Sequence, residues 1–374
     1  MTRSFDVAIV GLGAMGSAAA YHLARRHRNV LGLDRFTPPH AHGSSHGGTR
    51  IIREAYFEDA LYVPLVQRAY QLWDELQQRC GRELLRITGA LMIGPAAGAV
   101  VSGALHSARQ HGLAHELLTA QTIARRFPAL RPEEEMVGVW EPRAGVLFAE
   151  ACVEAHLALA RTHGATLGFG ETVESWHPDG DGVRIVTARD EYRATQLLLT
   201  AGAWIGSLVP ELRLPIEVER QVVHWFEPLA DAARFAPARC PIHLWEHSPR
   251  EYFYGLPDFG DGIKVALHHQ GESSDHPDRV RRHVSDDEVA AVRKLMQRFV
   301  PGANGALRSS TVCVYTNTHD EHFWIDRHPL HPQVLIASPC SGHGFKFAPM
   351  LGEALAEWLI DGHPHTDLSR FARR

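Results

Sequence analysis

Three glycines and one acid in this chain are spaced to hold a dinucleotide. Gly11, Gly13 and Gly16 stand in "GLGAMG", directly after the short β-branched run "FDVAIV" (5–10), and Asp34 closes a second apolar run, "NVLGLD" (29–34). In such a turn the first glycine permits a tight bend and the second lets a pyrophosphate approach the backbone. The third lets the following helix pack on the strand. Free N–H groups at that helix start favour phosphate, and Asp34 can accept hydrogen bonds from a ribose diol. NAD and FAD both fit this pattern, and the motif alone does not choose between them. The later run "QLLLTAGAW" breaks at Gly202 and offers a second contact for the nucleotide.

Other single side chains have the chemistry to react or to bind. Cys313 is one of five scattered cysteines with no CxxC pair. It sits in "VCVYT", where strand alternation puts Cys313 and Tyr315 on one face. An inert core thiol fits that pattern, and so does a reactive one. In "GIKVALH", Lys264, Ala266 and His268 share a face, with Ile263, Val265 and Leu267 opposite. A solvent-facing lysine fits there as well. Lys346 lies in the apolar run "GFKFAPM" at a helix start, where a cation works against the helix dipole and needs a reason. With 25 histidines, a lone one carries little information. "HAH" (40–42), "HH" (268–269) and "HPH" (363–365) lack HExxH-type spacing, so no metal site is expected.

The elements that must position these residues read as a mixed α/β chain. Helical spacing marks 62–81, 150–164 and 285–302, the last opened by a Ser285–Glu288 capping box. A strand is expected over 87–94, several strands over 165–204, and mostly β structure over 215–275. Strand, glycine turn and helix then close the chain from 333. The pattern is a Rossmann-like nucleotide domain (1–60, 146–214 and 309–374) interrupted by a β-rich substrate domain (61–145 and 215–308). The polar stretch 35–59, dense in Gly, Ser and His, is long for a compact fold and reads as functional.

Composition narrows the classes further. The chain has 374 residues, 45% hydrophobic and 22% charged, enough for a sizeable core. A net charge of −5 speaks against a nucleic-acid partner. No apolar run reaches the roughly 18 residues of a membrane span, and the start has no signal-peptide layout. Odd, scattered cysteines suit a reducing compartment. The expectation is a soluble cytoplasmic protein.

Six stretches carry a resemblance. "GLGAMGSAAAYHLA", "PPHAHGSSHGGTRIIREAY", "YFYGLP", "GIKVALH", "VCVYTNTHDEHFWID" and "SGHGFKFAPMLGE" together resemble the monomeric sarcosine oxidase and N-methyltryptophan oxidase family of FAD-dependent amine oxidases. The match runs nearly end to end, in order and at similar spacing. It implies FAD, bound covalently through a thioether to Cys313, with Tyr315 brought toward the flavin. It implies that Arg53 and Lys346 hold a substrate carboxylate and that Lys264 assists O₂. His268 and Tyr254 match positions around the substrate amine, and His46, Thr49 and Arg50 match groups over the flavin ring. Gly342 and Gly344 would let N–H groups face the flavin pyrimidine ring. The family's common "GSHHGDTRIIRHAYGE" is here "GSSHGGTRIIREAYFE", with Ser45, Gly48 and Glu54 replacing His, Asp and His. Pro339 and Cys340 stand where small or aromatic residues are usual.

The function this implies is oxidation of an N-methyl amino acid to the primary amino acid, formaldehyde and H₂O₂, by a monomer with O₂ as acceptor. Sarcosine leads, followed by N-methyltryptophan and cyclic imino acids such as pipecolate. A dehydrogenase on the same scaffold that does not use O₂ is the alternative.

Overall fold

In the computed structural model, residues 3–229 and 231–372 are described. The first apolar run forms the strand Arg3–Val10 and the second Val30–Asp34, paired in parallel as a nucleotide fold requires. Between them runs the helix Ala14–Arg25, which packs on the helices Ala149–Thr162 and Ala348–Asp361. The last approach is close: a Cβ on Gly352 would sit 2.6 Å from Ala18 Cβ. Strand Glu191–Leu199 pairs in parallel with Arg3–Val10 and with Val334–Ser338, which brings the closing strand–turn–helix beside the opening one. Thr166–Phe169, the hairpin Val173–Asp179/Gly182–Thr187 and Trp324–Arg327 complete this eight-stranded sheet.

A second sheet of nine strands carries the β-rich segment. Its centre is antiparallel: Leu307–Thr318, Ile216–Phe226, Ile263–His268, Glu251–Leu256 and Ile242–Ser248, in that order. Ala90–Pro95, Met136–Glu141 and Glu116–Thr119 extend it. The boundary expected between 308 and 309 falls inside the strand Leu307–Thr318, which pairs along its length with Ile216–Phe226.

Two stretches differ from the sequence reading. The strand expected over 87–94 is two strands, Leu85–Ile87 and Ala90–Pro95, because Gly89 turns with φ +69° under the Trp140 ring. Within the polar stretch, Thr49–Ile52 is a strand that pairs with Gly145–Phe148. Four residues preceded by two glycines carry too short a pattern to be read without that partner.

Candidate active site

One face of the second sheet is the floor of a long groove with about 2290 Å³ of empty space, its open mouth included. Strand register explains which residues lie there. Cys313 is opposite Gln221 and Tyr315 opposite Glu219, while Ala266 lies between Val223 and Tyr254. Side chains in one such row point the same way, so Gln221, Val223, Tyr254, Lys264, His268, Cys313 and Tyr315 all line the groove. The roof comes from the turns of the first sheet, with Gly11, Gly13, Asp34, Gly202, Gly342, Gly344 and Lys346, and from the separate short strand Thr49–Ile52, with Thr49 and Arg50.

At the nucleotide end, Gly11 holds φ +93°, and a Cβ there would lie 2.6 Å from the Thr200 carbonyl oxygen. Gly16 packs rather than binds, since its Cβ would lie 1.8 Å from the Gly11 oxygen. The Asp34 carboxylate fastens the turn, accepting the Leu12 N–H at 2.7 Å and the Phe36 N–H at 2.8 Å. Burial raises this carboxyl above its usual range.

In the middle, the Cys313 thiol is 3% exposed and lies 3.6 Å from Arg50 Nη2. Burial alone would push it up, but the Arg50 guanidinium, then the His46 side chain and Lys264, outweigh burial and bring it down to about 6. That favours the nucleophilic thiolate. Lys264, also 3% exposed, excludes the solvent-facing reading. Its ammonium donates to the carbonyl oxygens of Gly47 and Thr49, both at 2.8 Å, and to Thr49 Oγ1 at 3.3 Å. Burial, then Arg50, lowers it to about 7. The receiving turn is itself held by Glu150, whose carboxylate accepts the Gly47 N–H at 2.7 Å and the Gly48 N–H at 3.1 Å. His268 Nδ1 lies 3.1 Å from the Tyr315 hydroxyl, with Tyr254 edge-on to the His268 ring.

At the far end, Arg53 and Lys346 meet around Tyr56. Lys346 Nζ donates to the Tyr56 hydroxyl at 3.1 Å and to the His343 carbonyl at 2.7 Å. Arg53 Cζ lies 4.3 Å from the centroid of the Tyr56 ring. Burial, reinforced by Arg53, lowers Lys346 to about 7. Arg53 already has a partner, however. Its Nη2 donates to both Glu58 oxygens at 2.6 Å, so a carboxylate of the chain itself sits on the expected carboxylate site. Burial raises Glu58, but Arg53 more than offsets this and keeps it ionised.

Two expectations need correction. The Gly344 N–H donates to the Cys340 carbonyl at 3.0 Å and is not offered to the groove; Gly344 is required because a Cβ would lie 1.8 Å from the Pro339 oxygen. His46 is buried, yet its side chain does not line the groove; its carbonyl faces Cys313 at 3.8 Å. Its turn presents Ser44, Ser45, Thr49 and Arg50 instead. Gly342, with φ +74°, lets the turn close on the floor, as a Cβ would lie 2.8 Å from both His268 and Tyr315.

The sequence reading missed Glu58, Glu150 and Glu141, whose carboxylate accepts the Glu54 and Ala55 N–H groups at 2.6 and 2.9 Å. Only Glu58 had a signal, as an acid five residues after Arg53 in the same stretch.

Known proteins resemble this chain over nearly its full length. The sequence profile of the FAD dependent oxidoreductase family (DAO) matches residues 6–358. The chain is 44% identical to a monomeric sarcosine oxidase of Streptomyces avermitilis, over 97% of this chain and 96% of that protein. It is 37% identical to an N-methyl-L-tryptophan oxidase of Salmonella agona, over 98% of each. Among solved structures, NikD, an unusual amino acid oxidase essential for nikkomycin biosynthesis, superposes with a TM-score of 0.88 at 26% identity, covering 100% of this chain and 98% of that one.

Proposed function

This chain belongs to the FAD dependent oxidoreductase family, and from that premise we propose that it oxidises N-methyl amino acids with O₂ as acceptor, carrying its flavin on Cys313. The observation that carries the reading is one continuous groove. It joins a nucleotide turn, a lone activated thiol and a pair of buried cations. The residues present fit FAD. Gly13 and Gly202 line the groove, where a Cβ would meet only Ser45 Oγ at 3.4 Å in one case and nothing within 4 Å in the other. Gly11, Gly13, Asp34 and Gly202 would hold the nucleotide, Thr49, Arg50, Cys313, Tyr315 and Gly342 the flavin. Bound there, FAD supplies a two-electron acceptor for the amine and returns the electrons to O₂ as H₂O₂.

The chain's own residues do the rest. Arg53 grips the substrate carboxylate in a planar fork and Lys346 adds a point charge. His268, which burial lowers well below its usual range, stays neutral beside the amine. With Tyr315 and Tyr254 it lines a site that suits the uncharged amine, the form that can be oxidised. Lys264 in its protonated form places a positive charge in a dry position, where it favours electron transfer to O₂. The N–CH₃ group becomes an imine, which water cleaves to formaldehyde and the primary amino acid. A cytoplasmic location and a monomeric state are part of the proposal, the location supported by five unpaired cysteines. Among the described residues no helix is long and apolar enough to cross a membrane. Purified protein given a panel of N-methyl amino acids in air should yield peroxide and formaldehyde in equal amounts; formaldehyde without peroxide would move the acceptor away from O₂.

Two further outcomes are expected. Glu58 must leave Arg53 before a substrate carboxylate can dock. Glu58→Gln should therefore lower KM several-fold and cost about 3 kcal/mol of stability without ligand, because it strands a buried guanidinium. Thermal unfolding with and without acetate checks this, and an unchanged KM would count against displacement. Flavin attachment to apoprotein should speed up as pH rises through about 6 and then level off, as Cys313 becomes thiolate. Arg50→Gln removes the charge that offsets burial, so the rise should move to higher pH. A profile that does not respond to Arg50 would leave thiolate formation out of the limiting step.

A further inference from the structure

The segment beside the cation pair is a fixed wall, not a loose loop. Helix Ala99–Gln110 presents Gly103 to it, and a Cβ there would lie 2.3 Å from the Phe57 carbonyl oxygen and 2.9 Å from its Cα. On the same helix the Ser107 hydroxyl donates to the Tyr56 carbonyl. From the other side, Glu141 takes the N–H groups of Glu54 and Ala55. With its backbone pinned between a helix and a strand, Phe57 can move only its ring. That ring lines the groove, with its centroid 4.6 Å from Arg53 Cζ. It continues as an aromatic row: Phe57 to Tyr252 at 5.6 Å, then Tyr252 to His268 at 6.2 Å between centroids. Phe57 and His268 line the groove on the carboxylate and amine sides, and Tyr252 backs them without lining it.

An α-amino acid gripped at both its carboxylate and its nitrogen has its Cα fixed between those two points. Any substituent on Cα must then lie against whatever lines the space between them. We propose that Phe57 is the specificity-determining residue of this enzyme, and that its ring favours N-methyl amino acids with an apolar substituent on Cα over sarcosine, which has none. This rests on the amine-oxidase reading above and goes beyond it by naming the side-chain class. Glu58, displaced but still close, disfavours acidic substituents for the same site.

The test compares kcat/KM for N-methyl-L-leucine with that for sarcosine, in the flavin-loaded wild type and in Phe57→Ala and Phe57→Leu. In parallel, the affinities of 4-methylpentanoate and acetate are read from perturbation of the flavin spectrum. A contact of this kind discriminates by about 10-fold or more. The wild-type ratio should therefore exceed about 10, fall close to 1 in Phe57→Ala and be largely restored in Phe57→Leu, and the affinity ratio of the two acids should follow. A wild type that prefers sarcosine, or a ratio indifferent to Phe57, overturns the proposal. If no amine is oxidised while the affinity ratio still depends on Phe57, the wall stands and the amine-oxidase reading falls. Should Phe57→Ala yield no folded protein, Phe57→Leu against Phe57→Ser gives the same contrast.

Discussion

Cys313→Ser should give a protein that still binds flavin but releases all of it on acid precipitation, whereas the wild-type pellet stays yellow. The effect is expected to be all-or-none, because a serine hydroxyl has no accessible anion at neutral pH. The thiol does: it lies 3.6 Å from a guanidinium and is brought to about 6. Binding itself should survive, since the nucleotide turn and groove do not depend on the sulfur. Intact mass is the second measurement. An FAD-sized adduct on the wild type that vanishes in the variant supports the tether, and an adduct retained by the variant refutes its assignment to Cys313.

Lys264→Met should slow the reaction of the reduced enzyme with O₂ by about 10²–10³-fold, the scale of losing one preorganised electrostatic group. Anaerobic reduction by substrate should change by less than about 10-fold. The asymmetry follows from position. The ammonium is buried and tied to the Gly47 and Thr49 carbonyls, while the proposed carboxylate site lies with Arg53 and Lys346 around Tyr56. On the proposed function, Lys264 serves a charge that develops on oxygen and not one the substrate brings. Stopped-flow mixing separates the two half-reactions, and equal losses in both would remove the proposed role.

Much of this site was legible before any fold was drawn. The turn 11–16 and Asp34 announce themselves because a tight bend beside a phosphate tolerates only glycine, and that constraint is local. Alternation correctly put Cys313 with Tyr315, and Lys264 with His268, on common faces. Helix ends were readable for the same reason: the Ser285–Glu288 capping box forms as expected, and Gly81 and Gly164 end their helices at φ +65° and +94°. What failed was anything that depended on a partner. His46 and Gly344 stand in the expected stretches, but only the packed turns show that one is not among the groove's lining residues and the other spends its N–H on Cys340.

Alone, then, the sequence determined which residues share a strand face, where the nucleotide turn lies and which thiol stands by itself. All of these follow from backbone geometry over a few neighbouring residues. Tertiary structure decided which faces meet. It set Lys264 on a turn 217 residues away, brought Arg50 to a sulfur 263 residues distant, and gave Arg53 an acid of its own to hold. Charge, burial and hydrogen bonding act through space, and a pattern of period two or 3.6 records only what lies along the chain.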